Sequence, residues 1–372
     1  MVRKFFELIK IILLLRFTIF KPKKKVFLLF DNNHKNFLLK YIKIKDLDVL
    51  YIRKEKVNLY ILISNLLKFK LSFQDYIEAY IDCVSPKFII TFSDNSTSFF
   101  LIKKRKFAKK ILIQNGWKNK YNDTFLNINE KNFHSDYAFV FNQSIGEIYK
   151  KILKSKIYLT GSFKSNCYEV NFDQTDYKII FISAYRDIEQ TKIMSDNITY
   201  KEYDLTHQLA VKKLSAYAQK KNIKLHIYGN NQFEPDKEKD YFRKLQLGDN
   251  WEFIKNDRSF TYKILNKTDL VVGTHSTLVY EAIGRGCKVF VFSKNLKSSL
   301  LNTHKFGWPY DFEKEGFFWT SDLSDSYILN NKLDQMVYLN KSDWIKKTKE
   351  IREKLMYFKL NNKEFQNLIE SD

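Results

Sequence analysis

At 372 residues and 44% hydrophobic content, the chain is long enough for two ordinary domains and apolar enough to pack both. A formal charge of +22 points to polyanionic partners: nucleic acid, an anionic membrane face or phosphorylated substrates. Cys83, Cys167 and Cys287 are odd in number and widely spaced, which excludes a disulfide framework or structural zinc and suits a reducing compartment.

Residues 1–25 hold eight Lys or Arg against one carboxylate, Glu7. Their longest apolar run, 11–15, is far short of the roughly 20 residues of a spanning helix, and no small-residue cleavage site follows. This segment is expected either to lie on an anionic cytoplasmic leaflet or to pack as a helix on the first domain.

Residues 26–165 read as a first domain. Apolar runs at 26–30, 48–52, 87–92, 111–113, 137–141 and 157–160 predict strands, with helical stretches near 37–42, 58–68 and 73–83. The polar turns that close these strands, such as 31–34, 93–97 and 114–117, indicate a parallel sheet covered on both faces. Residues 163–177 lack periodicity and mark the domain boundary. The alternation restarts in a second domain, 178–340, with strands at 178–182, 224–228, 270–272 and 288–292 and helices at 205–221, 238–247 and 260–266. Residues 341–372 carry a closing helix, 344–357, and a tail. The expected fold is α/β: two doubly wound Rossmann-like domains facing each other across a cleft.

The stretch 268–293 is the most informative. Gly273, Thr274, His275, Ser276 and Thr277 form a small-residue turn between a buried strand and a helix. The N–H groups of Ser276, Thr277 and Leu278, the Ser276 and Thr277 hydroxyls and His275 all supply donors where a helix presents its positive end to a phosphate. Glu281, one turn further, can accept from both hydroxyls of a ribose. The competing reading makes Ser276 and Thr277 ordinary helix caps. Arg186, in the turn after 178–182, can pair with a diphosphate, or it is a surface arginine beside Asp187 or Glu189.

In the first domain, Asp94 is placed to take a proton from an acceptor hydroxyl, or to cap the segment after it. Asn95, Gln114, Asn115 and Gly116 are candidates for holding a polyhydroxylated acceptor, and Trp117 for stacking on a sugar ring. Asp31, His34 and His134 are further candidates for the base. No Gly-x-Gly-x-x-Gly or Gly-Lys-Ser/Thr loop and no clustered His/Glu ligand set occurs, so neither a metal nor a bound cofactor is expected. No nucleic-acid module stands out.

Four segments together resemble bacterial surface-carbohydrate biosynthesis transferases of the capsule and lipopolysaccharide type, a group similar to GT-B glycosyltransferases: 90–95, 113–117, 273–282 (Gly-Thr-His-Ser-Thr-Leu-Val-Tyr-Glu-Ala) and 316–319. The likeness spans about residues 26–345. It implies a nucleotide-sugar donor in the second domain, a carbohydrate or lipid-linked acceptor in the first, and no obligatory metal. With the basic segment 1–25 and the +22 charge, the expectation is a cytoplasmic enzyme, peripheral on the inner membrane face. Many members of that group carry Pro or Gly beside the corresponding His, where this chain has Thr274 and Ser276. The alternatives are a sugar-nucleotide epimerase of the same fold and a non-catalytic polyanion-binding protein.

Overall fold

The computed structural model describes residues 16–53, 55–118, 133–187, 200–230, 232–257, 260–274, 276–293 and 306–371. A short parallel ribbon joins β1 (Arg16–Thr18) to a strand before the second helix. The first lobe's sheet contains β2 (Phe27–Phe30) and β3 (Leu47–Leu50), and the ribbon's partner is β4 (Lys56–Asn58). It continues with β5 (Phe88–Thr91), β6 (Lys109–Ile113), β7 (Phe133–Val140) and β8 (Leu153–Leu159), all parallel, in the order β3-β2-β5-β6-β7-β8.

The second lobe's sheet contains β9 (Tyr177–Ile182), β10 (Leu225–Tyr228), β11 (Trp251–Ile254), β12 (Thr268–Gly273), β13 (Lys288–Phe292) and β14 (Trp319–Thr320). These strands are also parallel, in the order β11-β10-β9-β12-β13-β14. The central strands are apolar at nearly every position because helices cover both faces. Val271, Val272, Phe290 and Phe292 are fully buried, as are Leu29, Ile90 and Leu112 in the first lobe. Two six-stranded parallel sheets, each wound in both directions from a central pair, make both lobes Rossmann-like, as expected.

Several elements differ from the expectation. β8 begins four residues before the expected 157, because Lys154 and Lys156 alternate outward on an edge strand. The edge strand β11, with its half-buried Trp-Glu-Phe-Ile pattern, and the helices Gln143–Ile152 and Ser326–Tyr338 were not expected. The tail 341–372 divides. Helix Lys341–Leu355 stays with the second lobe through fully buried Trp344, whereas helix Lys363–Ser371 returns to the first lobe and sinks Phe365 against Phe139 and Phe163. At the return, Gly161 has φ +76, and a Cβ there would lie 1.7 Å from the Tyr357 carbonyl oxygen. Only glycine fits that crossing.

Candidate functional site

Both sheets reverse their strand order at one point, β9/β12 in the second lobe and β2/β5 in the first, and ligands of such sheets bind outside the carboxyl ends at that reversal. The second-lobe reversal brings together the turns 183–187 and 274–277. The first-lobe reversal brings together 31–34 and 92–96, with 114–118 beside them. The two sets face each other: the Trp117 N–H donates to Thr277 Oγ1 at 2.9 Å, and the Trp117 ring stacks flat on Tyr280 at 3.6 Å.

On the second lobe, Gly273 lets helix Thr277–Gly284 close onto β12, since a Cβ there would come within 2.6 Å of Val279. Thr274 is 1% exposed, and its hydroxyl has no hydrogen-bond partner. An orphaned buried hydroxyl carries a desolvation penalty that a ligand atom or water would relieve. Of the three amides expected to be free, that of Leu278 is taken by Ser276 Oγ at 3.3 Å, so Ser276 is a helix cap as well. The Thr277 oxygen accepts from Trp117 and keeps its own hydrogen to donate. Gly116 faces this hydroxyl too, 3.7 Å from where its Cβ would stand. His275 lies outside the described residues.

Arg186 is half-buried in the turn after β9. That turn rests on a buried relay the sequence did not reveal. His207 Nε2 accepts from the Ala184 N–H at 3.1 Å, which leaves the ring's proton on Nδ1, toward the Tyr241 hydroxyl at 3.2 Å. Tyr241 in turn donates to Asp204 at 3.0 Å. Burial raises the Asp204 carboxyl, but bonds from His207, Gln208 and Tyr241 outweigh it and hold the group below the ordinary carboxylate value. Behind the same edge, fully buried Glu238 accepts twice from the Asn230 N–H, at 2.8 and 3.0 Å, and burial pushes its carboxyl up to about 7.

Glu281 departs from the ribose expectation. It is 2% exposed, with Oε1 accepting from the Ser162 hydroxyl at 2.5 Å and Oε2 from the Tyr262 hydroxyl at 3.0 Å. Lys164 Nζ stands 3.8 Å away. Ser162 follows β8, so this carboxylate ties the first lobe's last strand to the helix after β12. Its neighbour Arg285 binds the connector between lobes, donating to the carbonyls of Ser165, Tyr168 and Glu169 at 3.0, 3.0 and 2.6 Å.

The first-lobe candidates are also engaged. Asp94 is buried, with Oδ1 ion-paired to Lys118 at 2.9 Å and Oδ2 accepting from the Asn115 N–H at 3.0 Å, so both of its oxygens are engaged. Gln114 spends its amide on the Gly116 carbonyl and the Phe141 N–H, and Asn115 Oδ1 accepts from Lys164 at 3.1 Å. Trp117 packs against Tyr280 and so is not an open stacking platform. Asn95 is exposed beside them.

Among the other base candidates, Asp31 is buried beneath bonds from Asn33, Arg53 and Ser93. His34 packs on Phe37 and Phe92. His134 lies at the amino end of β7, away from the cleft. Lys118, Lys164, Ser162 and Tyr262 carried no sequence signal, because each takes its role only from a distant partner. Among the described residues, no three His, Cys, Asp or Glu side chains are grouped to hold a metal, and no helix is long and apolar enough to cross a membrane.

A family model described as "putative O-antigen biosynthesis protein" matches residues 111–372, more than half of the chain. No curated protein matches the sequence. Among solved structures, a variant of the wall teichoic acid polymerase TagF is similar over 95% of this chain and 90% of its own, at TM-score 0.51 and 11% identity. A UDP-GlcNAc 2-epimerase from Neisseria meningitidis bound to UDP-GlcNAc gives TM-score 0.48 at 13% identity, covering 93% of this chain and 98% of that one. A variant of S. aureus TarM, in complex with Fondaparinux, alpha-GlcNAc-glycerol and UDP, gives 0.44 at 16% identity over 76% of this chain. The chain spans 55% of that TarM structure. The chain belongs to the O-antigen biosynthesis family, and the likeness to TagF gives its fold.

Proposed function

We propose that this member of the O-antigen biosynthesis family is a glycosyltransferase. It moves a sugar from a nucleotide-sugar donor to a surface-polysaccharide or lipid-linked acceptor, of the capsule or lipopolysaccharide kind. The observation that carries the reading is the Thr274 hydroxyl, buried and unpartnered in the turn at the second lobe's strand-order reversal, three residues before the Thr277 hydroxyl that meets the first lobe. In this reading Gly273, Thr274, His275, Ser276 and Thr277 hold the donor's diphosphate with Arg186. They act as fixed donors whose attraction grows as charge develops on the leaving group.

The acceptor hydroxyl oxygen bonds to the anomeric carbon, the bond from that carbon to phosphate oxygen breaks, and its electron pair leaves with the nucleotide. Asp94 takes the hydroxyl proton once an anionic substrate has drawn Lys118 away from it. Asn95, Asn115, Gly116 and Gln114 shape the acceptor side, and Trp117 sets how closely the lobes approach. Glu281 keeps its place in the donor site by fixing the helix that carries Thr277. No metal or bound cofactor takes part, and the phosphates are neutralised by Arg186, Lys118 and Lys164. The enzyme works at the inner face of the cell membrane, held there through residues 1–25, with no nucleic-acid partner.

The test is calorimetry with a panel of nucleotide sugars in the presence of EDTA, followed by product analysis with donor alone. Binding without metal and an unaltered sugar until acceptor is added supports transfer. A donor converted to its epimer without acceptor replaces transfer with epimerisation. No nucleotide-sugar binding, with salt-sensitive polyanion binding in its place, ends the enzyme reading.

A further inference from the structure

Helix Leu59–Leu66 turns Ile61 and Asn65 inward, yet its outer face is apolar as well: Leu62, Ile63 and Leu66 are exposed. The chain then runs through Leu67, Phe69, Leu71 and Phe73, exposed by 78%, 90%, 73% and 46%. Phe69 also has φ +55, a left-handed conformation that a bulky side chain adopts only at a cost. That conformation ends the helix, with the Lys70 N–H donating back to the Asn65 carbonyl at 2.9 Å, whereas the exposure of these side chains serves no packing of the lobe.

A second segment lies alongside. Asn58 caps the helix through Ile61 N–H at 3.1 Å, and its amide donates to Thr18 Oγ1 at 3.1 Å and the Phe20 carbonyl at 2.9 Å. This fastens the exposed Phe17, Ile19 and Phe20 beside the helix start. An apolar surface of this extent on one side of a soluble lobe marks an interaction site.

The charge around it selects the partner. Residues 16–25 and 56–74 contain eight Lys or Arg and no Asp or Glu. Burial pushes the Cys83 thiol up, Lys21 and Lys68 act against it and Asp82 with it, so cations from the two segments stand near the same point beside one carboxylate. Apolar side chains flanked mainly by cations, with Glu55, Asp75 and Asp82 the carboxylates at the border, fit the headgroup boundary of an anionic bilayer, where acyl chains receive the apolar groups and lipid phosphates the cations. A protein partner would need an equally apolar, predominantly acidic face, and a second copy of this chain would bring an excess of like charges together.

We infer that residues 59–73, with 17–20, form a membrane-insertion surface that seats the first lobe on an anionic leaflet. This deepens the peripheral placement proposed above: it shares residues 17–20 with the segment 1–25 but adds 59–73, so variants in 59–73 and at Ile11 and Leu14 separate the two. The experiment is vesicle flotation of the full chain, using phosphatidylcholine vesicles with and without phosphatidylglycerol. The variants are Leu67→Ser/Phe69→Ser, Lys68→Gln/Lys70→Gln and, in the amino-terminal segment, Ile11→Ser/Leu14→Ser. Circular dichroism and light scattering accompany each.

Folded Leu67→Ser/Phe69→Ser is expected to lose at least tenfold in partition to anionic vesicles, and Lys68→Gln/Lys70→Gln roughly fivefold per lysine. Loss by these two sets, whatever the Ile11→Ser/Leu14→Ser result, supports the surface. Loss by Ile11→Ser/Leu14→Ser alone overturns it while leaving residues 1–25 as the anchor. Wild-type binding unchanged in both of the first two variants overturns it, as does a wild-type dimer that Leu67→Ser/Phe69→Ser converts to a monomer without any vesicle binding.

Discussion

Replacing Glu281 with Ala tests whether its carboxylate holds the lobes together. The change strands the Ser162 hydroxyl, now 2.5 Å from Oε1, and the Tyr262 hydroxyl, 3.0 Å from Oε2, in a site where Glu281 is 2% exposed. A hydrogen bond to a charged group contributes about 1.5–3 kcal/mol, so losing two of them should cost about 3–5 kcal/mol after relaxation. Unfolding entropy near 2.1 cal/mol/K per residue turns this into a fall in Tm of roughly 5 °C if the chain melts as one unit, and about twice that if the second lobe melts alone. Glu281→Gln keeps one acceptor oxygen and similar volume, and should lose less than half as much. Differential scanning calorimetry of both variants is the assay. An alanine variant melting within about 1 °C of wild type would refute the reasoning.

The other predictions concern charges and rings at the same edges. Glu238 titrates near 7 in the fold against 4.5 in the unfolded chain, so its stabilising protonation is present at low pH and lost as pH rises toward 7. Glu238→Gln should therefore melt higher than wild type at pH 8, by an amount reflecting about 3 kcal/mol, and nearly match it at pH 4.5; equal differences at both pH values would contradict this. Lys118→Met should leave Asp94 buried and unpaired and cost about 3–5 kcal/mol, most of it recovered in Asp94→Asn/Lys118→Met, as denaturant titration would reveal. A double-mutant cycle on Trp117 and Tyr280 should return a coupling of about 0.5–1.5 kcal/mol, and zero coupling would mean the lobes do not meet there in solution.

The central strands were readable because burial on both faces leaves continuous apolar runs: 288–292 coincides with β13 residue for residue. The edge strands β8 and β11 were blurred because one side meets water and their patterns turn half polar. The turns of the site were also legible, since small residues after a buried strand announce a helix entrance. What those side chains touch was not. Trp117 meets Thr277 across 160 residues of sequence, and Glu281 meets Ser162 across 119. No local pattern records such pairings, so Trp117 looked like a free stacking surface and Glu281 like a ribose ligand. The final helix escaped notice because Phe365 and Leu368 are few, and their partners lie in the first lobe.

The account turns on what the Thr274 hydroxyl is for, and Thr274→Val isolates it. Valine keeps the shape and deletes a buried oxygen that has no partner. The ligand-free protein should therefore be as stable as wild type or more so, by up to about 1–3 kcal/mol. Calorimetric affinity for nucleoside diphosphates or their sugars should nevertheless fall roughly tenfold or more, the loss of one hydrogen bond to a charged oxygen. A variant that binds these ligands as tightly as wild type would contradict the claim that this turn grips the donor's phosphates.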